Sequence, residues 1–160
     1  AKKQNILYHK REKYYASSNC SNSNFWANIA KETNSKFIMF TNCTSPLIKL
    51  KTYKNFIKDF YKFKKKYDSF NTVTNSYDYL YYKKKPINFN PKKTPNSQDL
   101  PEILKINFAI NILSKDYMFK NKTLLGENPY FFKINEVEGF DINTPLEFNF
   151  AEHQFKKKNY

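Results

Sequence analysis

Residues 36–74 alternate strand-like and helix-like patterns, which strongly restricts the fold. Residues 36–42 form an apolar run of strand length, and residues 68–74 alternate apolar and polar side chains as a strand does. Between them, residues 50–66 place large apolar side chains on one stripe and lysines on the other side, as in an amphipathic helix. This strand–helix–strand order predicts a βαβ unit within a mostly parallel sheet.

The rest of the chain continues this alternation. Ser114 is placed to cap a short helix over residues 115–120. Pro145 suits the first turn of a final helix through residue 158, with Asn143 or Thr144 as its cap. The remaining predicted elements are a helix at residues 21–34, strands at residues 6–8, 106–113, 131–134 and 139–142, and a two-stranded ribbon at residues 77–82 and 86–89.

These elements predict a single domain across residues 1–160. We expect an α/β fold of three layers, with a mostly parallel, Rossmann-like sheet and helices on both faces. Residues 77–101, which combine the ribbon with a loop rich in proline and lysine, are expected to extend from the sheet as an arm. Ligands of such sheets bind beyond the carboxyl ends of the strands. That rule points to residues 42–47, to the segment entering residue 106, and to Asp141.

The net charge of +14 comes almost wholly from lysine. Lysines interleaved with aromatic rings, as over residues 53–67, are one signature of a surface for single-stranded nucleic acid. That interleaving has helical spacing, however, which more often places the rings in a core and the lysines in solvent. Arg11 is the only arginine, although readers of bases and phosphates favour the forked guanidinium. We therefore expect a solvated basic surface and no nucleic-acid partner.

Cysteine, histidine and hydropathy patterns exclude several other classes. Cys20 and Cys43 lie in unrelated segments, so the sequence predicts neither a disulfide framework nor a cysteine metal cage. His9 and His153 have no partners at metal-ligand spacing. No apolar run approaches the roughly 20 residues that span a bilayer, and residues 1–5 show no secretory signal. These features predict a cytoplasmic protein without a membrane partner.

Five short motifs resemble, in order, signatures of the N-acylneuraminate and Kdo cytidylyltransferases. The sequence NCTSPL at residues 42–47 resembles the family's QPTSPLR, and EGFDINT at residues 138–144 resembles its IDIDT. The other motifs are Arg11 followed by Ala16-Ser17, resembling LRP and AS; Asp68-Ser69, resembling DS; and QDLP at residues 98–101 followed by NFAI at residues 107–110, resembling QxLP and NGAI. Five matches in order are far more specific than any one of them.

This resemblance implies a fold and a reaction. The fold would be that of the nucleotide-diphospho-sugar transferases, and the chain would begin after the family's first strand and its phosphate loop of glycine, arginine and lysine. The reaction would transfer CMP from CTP to the anomeric hydroxyl of an acidic sugar of nine or eight carbons, with release of pyrophosphate. A divalent cation such as Mg²⁺ would assist. Residues 77–101 would reach across to a second subunit, giving a homodimer.

The resemblance also assigns roles to individual residues. Asp141 and Asn143 would act in catalysis and hold the cation, because they stand at the family's Asp-x-Asp pair. Three residues would bind the nucleotide and three the sugar acid. The nucleotide residues are Arg11, Ser21 and Asn22, and the sugar-acid residues are Asn42, Gln98 and Asn107.

Departures from the family pattern leave a second functional reading open. Asn143 replaces a carboxylate, Ile48 an arginine, Phe108 a glycine, and Lys105 the arginine of some relatives. The chain is therefore also compatible with a catalytically weak or inactive relative that keeps only the fold and the dimer.

Several of these residues also have purely structural interpretations. Helix capping would account for Asp141 with Asn143 and for Ser21 with Asn22. A surface position would account for Arg11, and local hydrogen bonds would account for the amides of Gln98 and Asn107. Residues 77–101 would then form a locally packed hairpin.

Overall fold

The computed structural model of the protein describes residues 6–157, which contain four α-helices and six strands. The helices are α1 (Asn22–Glu32), α2 (Leu50–Phe63), α3 (Lys115–Asn121) and α4 (Pro145–Lys156). The strands are β1 (Phe37–Thr41), β2 (Ser69–Ser76), β3 (Tyr81–Tyr82), β4 (Lys85–Pro86), β5 (Ile103–Ser114) and β6 (Pro129–Lys133). None of the helices in this part of the chain is long and apolar enough to cross a membrane.

The main sheet has the strand order β1-β5-β2-β6. β1, β2 and β6 run in one direction, as the βαβ pattern predicts, and β2 pairs with β6 in parallel. β5 lies between β1 and β2 and is antiparallel to both, so only one neighbouring pair is parallel and the expectation of a mostly parallel sheet was wrong for β5. The cause is the excursion after β2, which returns the chain to the same edge of the sheet, where Ser76 pairs with Ile103.

Helices cover both faces of this sheet, which confirms the three-layer α/β architecture. On one face, Phe56 and Phe60 of α2 pack against Ile110 and Ile112 of β5. On the other face, residues of α1 and α3 pack against Leu113 of β5 and Ile38 of β1. Successive side chains of a strand point to opposite faces, so β5 contributes to both cores.

Side-chain caps fix the starts of three helices. Ser21 accepts a hydrogen bond from Asn24 N at 3.2 Å, and Ser114 accepts one from Tyr117 N at 3.1 Å, as the sequence predicts. Thr144, rather than Asn143, caps α4 by accepting from Glu147 N at 3.3 Å. The N-cap residue of α2 is Lys49, whose side chain does not cap the helix. The buried Glu138 instead accepts a hydrogen bond from Lys49 N at 3.1 Å.

Other predicted elements are absent or shorter. Residues 6–8 and 139–142 are not strands; in the latter, Ile142 N donates to Thr44 O in a loop rather than in a ladder. The predicted ribbon is shorter and consists of β3 and β4 alone. Next to it, the Asn88 side chain bonds to Leu80 N and Asp78 O, in place of the backbone hydrogen bonds of a longer ribbon. The final helix ends at Lys156. Residue 158, to which that helix was predicted to extend, and residues 1–5, where no secretory signal was predicted, lie outside the described residues.

The register between β2 and β5 shifts at a bulge near the edge of the sheet where β2 ends. β2 advances from Asn71 to Val73 while the paired positions on β5 run from Asn111 to Ile106. Just before the bulge, Asn71 Nδ2 donates to Asn111 Oδ1 and to Leu124 O, each at 2.9 Å. These buried amides therefore have hydrogen-bond partners within the protein.

Candidate functional site

Two clefts open along the edge of the sheet where β1 and β2 end. Cleft A has a volume of about 530 Å³ and is lined by residues 74–78 of β2 and its following loop, by residues 105–108 of β5, and by a segment between residues 136 and 147. Cleft B has a volume of about 420 Å³ and is lined by Arg11, by one side of α1 and by residues 40–43. Both lie where ligands of α/β sheets bind.

The bulge in β5 presents Asn107 to cleft A. Asn107 Oδ1 accepts hydrogen bonds from the Thr72 hydroxyl at 2.6 Å and from Ala109 N at 3.1 Å. Gly139 lies directly against the same side chain: a Cβ at this position would be 2.6 Å from Asn107 Nδ2 and 2.7 Å from Thr74 Cγ2. The absence of a side chain at Gly139 therefore lets the 136–147 segment close against the sheet.

Cleft A concentrates buried polar atoms that have no hydrogen-bond partner. Five such side-chain atoms occur among residues 6–157, and three of them belong to residues that line cleft A. They are Asn75 Oδ1, Asn107 Nδ2 and Asp141 Oδ1. Buried polar groups in folded proteins are normally hydrogen-bonded. A group of unpaired donors and acceptors around one cleft is therefore typical of a site that a polar ligand completes.

Asp141 and Asn143 lie side by side in cleft A. Asn143 Nδ2 donates to Asp141 Oδ2 at 3.1 Å, and Asn143 N donates to Glu147 Oε2 at 2.8 Å. The Thr144 hydroxyl donates to the same Glu147 oxygen at 2.9 Å. These hydrogen bonds, first the one from Asn143, hold the pKa of Glu147 below its usual value. Glu147 thus belongs to the helix cap with Thr144 as well as to the cleft lining, whereas Asp141 belongs to the cleft lining alone.

The lining of cleft A is acidic although the chain as a whole is strongly basic. It contains four carboxylates and one amine. The carboxylates are those of Asp78, Glu136, Asp141 and Glu147, and the amine is that of Lys105. A phosphate ligand would meet repulsion from this lining unless a cation accompanied it.

The oxygen donors in cleft A fit a divalent cation only together with a ligand. In the described part of the chain, no three Asp, Glu, His or Cys side chains are grouped to hold a metal ion by themselves. Mg²⁺ at nucleotide sites is held by one or two carboxylates with phosphate oxygens and water. Asp141 suits that arrangement because its Oδ1 has no protein partner. Asn143 presents its amide nitrogen to Asp141, so it must rotate before its oxygen can contribute.

Cleft B contains the other pair of predicted site residues, Arg11 and Asn42. The Arg11 guanidinium lies 4.7 Å from the centre of the Phe25 ring, a cation–π contact, and Nη1 donates to Tyr15 O at 3.4 Å. Asn42 O accepts from Ser45 N at 3.2 Å in the turn that follows β1. The buried Leu47 anchors the end of this turn.

The predicted site residues therefore fall into three groups. Asn107, Asp141 and Asn143 share cleft A, and Arg11 and Asn42 share cleft B. The clefts adjoin, because Ile142 of the cleft A segment is hydrogen-bonded to Thr44 of the turn beyond cleft B. Three predicted residues line neither cleft. They are Ser21, which caps α1, Asn22 in its first turn, and Gln98 in an exposed turn before β5.

Sequence reasoning missed several residues that shape the clefts. Thr74 and Glu136 belong to no recognised motif. The burial of the Glu138 carboxylate becomes visible only from its contacts in the structure. Gly139 did carry a signal, because it is one of only two glycines in the chain. Ile48, at the family's arginine position, packs against the core on the α2 side instead of lining either cleft.

Comparisons with known proteins find sequence similarity over part of the chain. A stretch of 62 residues is 31% identical to the post-translational flagellin modification protein B of Campylobacter coli, covering 39% of this chain and 26% of that protein. A stretch of the same length is 32% identical to the CMP-N,N′-diacetyllegionaminic acid synthase of Campylobacter jejuni, with the same coverage. The match thus spans about a quarter of the length of these curated relatives. No protein-family model matches the chain.

A solved structure supports the fold more broadly. The crystal structure of 4-diphosphocytidyl-2C-methyl-D-erythritol synthase from Anaerococcus prevotii superposes with a TM-score of 0.58 at 12% identity, covering 86% of this chain and 67% of that one. At this identity the likeness concerns the fold alone. The resemblance to the cytidylyltransferases is therefore confirmed in sequence over part of the chain, and the fold agrees with it over most of the chain.

Proposed function

We propose that the protein is a cytidylyltransferase domain that takes CTP and an acidic sugar of nine or eight carbons. The anomeric oxygen of the sugar would attack the α-phosphorus of CTP. The bond from that phosphorus to the bridging oxygen would break, the hydroxyl proton would be lost, and CMP-sugar and pyrophosphate would result. The observation that carries this proposal is the convergence of Asn107 and Asp141, with unpaired buried atoms, in a cleft at the carboxyl edge of the sheet.

Each cleft residue has a role that follows from its charge and hydrogen-bonding capacity. Asp141 would hold a divalent cation through Oδ1, and a bound cation offsets the charge on phosphate oxygens. Asn107 Nδ2, an unpaired donor, would bind a ligand oxygen once the Gly139 segment moves back from it. Lys105, which lines cleft A, and Arg11, which lines cleft B, are cations that would face a phosphate or a carboxylate.

Nucleotide binding tests this proposal more directly than turnover, because it can be measured without the sugar acid and without a competent reaction. We expect CTP to bind in the presence of Mg²⁺ and to release pyrophosphate with N-acetylneuraminate, N,N′-diacetyllegionaminate or Kdo. Asp141→Ala should weaken Mg²⁺-dependent CTP binding by at least the roughly 10-fold that loss of a metal-site partner costs. Glu152→Ala, at a surface ion pair with Lys156, is the matched control. Equal CTP binding by both variants and the wild type would contradict the assignment of Asp141.

A homodimer would bring residues 77–101 against the partner's site. Four exposed tyrosines and Ile87 of this arm form an apolar surface, and aromatic residues are enriched in interface cores. The root of the arm, Tyr77 and Asp78, lines cleft A, so a partner bound there would help to enclose the ligand. Sedimentation equilibrium should give twice the mass of one chain for the wild type. Tyr82→Ser should lower that mass, whereas Leu146→Ser, exposed on α4, should not. A wild-type mass of one chain would refute the dimer.

A second candidate, an attenuated or inactive relative, is favoured by one observation. Asn143 donates its amide to Asp141, so the carboxylate pair of the family pattern is replaced here by a neutral hydrogen bond. This candidate predicts CTP binding without measurable pyrophosphate release. Pyrophosphate release by Asn143→Asp but not by the wild type would establish it.

A further inference from the structure

We propose that Thr72 is a positioning residue that fixes the side-chain amide of Asn107, so that cleft A offers a hydrogen-bond donor to an acceptor oxygen of the ligand. The ligand group at this point would be a carboxylate, phosphate, carbonyl or hydroxyl oxygen, and not an ammonium group. This inference rests on the proposed function, because the ligand is the nucleotide or the sugar acid of that reaction.

Thr72 lies on β2 where the bulge interrupts the pairing of the strands. It is fully buried, and it is the residue of β2 that the register shift leaves without a partner position on β5. Its hydroxyl joins the two strands instead, because Ile110 N donates to Thr72 Oγ1 at 3.0 Å. The hydroxyl is therefore held in place by the backbone of β5.

The hydroxyl proton of Thr72 is directed at Asn107. A threonine hydroxyl has one proton to donate. Two acceptors lie within reach, Asn107 Oδ1 at 2.6 Å and Ile110 O at 3.3 Å, and the shorter distance favours Asn107. Because Oγ1 also accepts from Ile110 N, this hydroxyl links the backbone of β5 to the amide of Asn107.

A second donor excludes the flipped orientation of the Asn107 amide. Ala109 N lies 3.1 Å from Asn107 Oδ1, and a backbone N–H can only donate. In a flipped amide, the NH₂ group would face this N–H, and the hydrogen bond from Ala109 would be lost. The oxygen of Asn107 is therefore bound within the protein, whereas Nδ2 is buried without a hydrogen-bond partner among residues 6–157.

The free donor suits the charge of cleft A. Of the three unpaired buried atoms that residues 6–157 contribute to this cleft, Asn107 Nδ2 is the donor, and Asn75 Oδ1 and Asp141 Oδ1 are acceptors. The carboxylates of the lining would repel an anionic oxygen, whereas an amide N–H can bind one. A ligand oxygen would reach Nδ2 beside Gly139, which has no side chain, as the 136–147 segment moves back.

A double-mutant cycle tests whether Thr72 acts through Asn107. Thr72→Val keeps the shape of the side chain and removes the hydroxyl. Asn107→Asp keeps an acceptor at Oδ1 and replaces the donor with a second acceptor. By calorimetry with CMP-N-acetylneuraminate, we expect Thr72→Val to weaken binding about fivefold and Asn107→Asp to weaken it more than about 10-fold. In the Asn107→Asp protein, adding Thr72→Val should cause no further loss of affinity.

Two control variants separate positioning from folding. Thr72→Ser retains the hydroxyl and should bind CMP-N-acetylneuraminate within about twofold of the wild type. Thr123→Val removes a hydroxyl that accepts from Leu125 N at 3.0 Å, in the loop after α3 and outside both clefts. It should lower the melting temperature and leave the affinity unchanged.

A measurement on the wild type needs no variant to fold. The side-chain N–H signals of Asn107, followed by NMR, should shift on saturation with CMP-N-acetylneuraminate. CMP measured alone identifies the source of the oxygen. Affinity losses of the same size with CMP assign it to the nucleotide, and losses seen only with CMP-N-acetylneuraminate assign it to the sugar acid, so either result supports the donor role.

The results that would overturn this inference are distinct. Wild-type affinity in Asn107→Asp, or unshifted Asn107 side-chain signals at saturation, would refute the donor while the proposed function stands. An equal loss from Thr72→Val with and without Asn107→Asp would refute the positioning role of Thr72. If the wild type binds neither CTP nor CMP-N-acetylneuraminate, the proposed function fails and this inference fails with it.

Discussion

The two glycines of the chain lie at opposite edges of the same sheet, and each lets the backbone approach a polar side chain closely. At the amino-end edge, a Cβ on Gly126 would lie 1.9 Å from Asp68 Oδ1. At the carboxyl-end edge, a Cβ on Gly139 would lie 2.6 Å from Asn107 Nδ2. Neither glycine has positive φ. Both are therefore needed for close approach to a polar side chain, but the two side chains have different partners.

At the amino-end edge, polar side chains are used to hold the backbone. Asp68 Oδ2 accepts hydrogen bonds from Glu127 N and Asn128 N, both at 2.9 Å, and Ser69 Oγ accepts one from Gly126 N at 2.8 Å. Among residues 6–157, three buried polar atoms at the carboxyl-end edge have no hydrogen-bond partner, against one, Asp68 Oδ1, at the amino-end edge. The amino-end edge thus uses its polar side chains mainly to hold loops of the fold, whereas the carboxyl-end edge has the larger group of unpaired polar atoms, which supports the ligand site proposed there.

Gly126→Ala should have the largest effect on stability. The new Cβ would overlap the Asp68 carboxylate, which two backbone N–H groups hold in place, so the loop must move and those bonds must lengthen. We expect the free energy of unfolding to fall by about 3 kcal/mol, measured by urea denaturation. The affinity of the folded protein for CMP should not change. A fall of less than about 1 kcal/mol would show that the amino-end edge tolerates displacement.

Gly139→Ala should act differently, because it alters the ligand edge. The new Cβ would press on Asn107 Nδ2 and Thr74 Cγ2 and push the 136–147 segment away from the sheet. We expect a smaller loss of stability, about 2 kcal/mol, together with weaker binding of CMP, because the new methyl group would occupy the space beside Asn107 Nδ2 that a ligand oxygen needs. Calorimetry on both glycine variants under the same conditions compares the two edges. If Gly126→Ala weakened CMP binding more than Gly139→Ala did, the division of roles between the edges would be wrong.

Asn143→Asp tests the charge balance of cleft A. It replaces the amide that now donates to Asp141 with a second carboxylate, and two like charges at this spacing repel by about 1 kcal/mol in a solvated cleft. The variant should therefore melt about 3 °C lower than the wild type without divalent cation, and Mg²⁺ should reverse the loss. A melting temperature that does not respond to Mg²⁺ would argue against a cation site at Asp141.

Tyr130→Phe should have the smallest effect, confined to the amino-end edge. The Tyr130 hydroxyl donates to Asp59 Oδ2 at 2.8 Å, and burial, followed by this hydrogen bond, raises the pKa of Tyr130 to about 12. Its loss should cost about 0.5 to 1 kcal/mol near neutral pH.

The pH dependence of stability gives a second readout of Tyr130. Because its pKa is raised in the folded state, its contribution is full below about pH 10, the usual tyrosine pKa, and is lost as the pH rises towards 12. The wild type should therefore lose more stability than Tyr130→Phe between pH 10 and 12. Parallel stability curves for the two proteins would contradict the pKa shift.

Local patterns in the sequence predicted much of this fold. The stripe of α2, the apolar run of β1 and the caps at Ser21 and Ser114 depend on neighbouring residues, which a sequence displays directly. The direction of β5 did not follow from its own residues, because the excursion at residues 77–101 determines the edge from which β5 enters the sheet.

The candidate site was predictable as residue types and less so as geometry. The motifs bring Asn107 and Asp141 together in cleft A, yet Arg11 and Asn42 lie in cleft B. The bulge that presents Asn107 to cleft A includes a positive φ at Phe108, which no periodicity in the sequence encodes. Asp68-Ser69, which carried a family match, holds the loop before β6 instead of lining either cleft.

The central claim is that a cytidine nucleotide binds at the carboxyl-end edge of the sheet, across clefts A and B. Amide chemical shifts, followed by NMR during titration with CTP and Mg²⁺, test it most directly because every edge is observed at once. We predict shifts at Asn107, Asp141 and Asn42, with no change at Gly126 or at Lys58 on α2. Shifts confined to the lysines of α2, or no shifts at saturating CTP, would contradict the account.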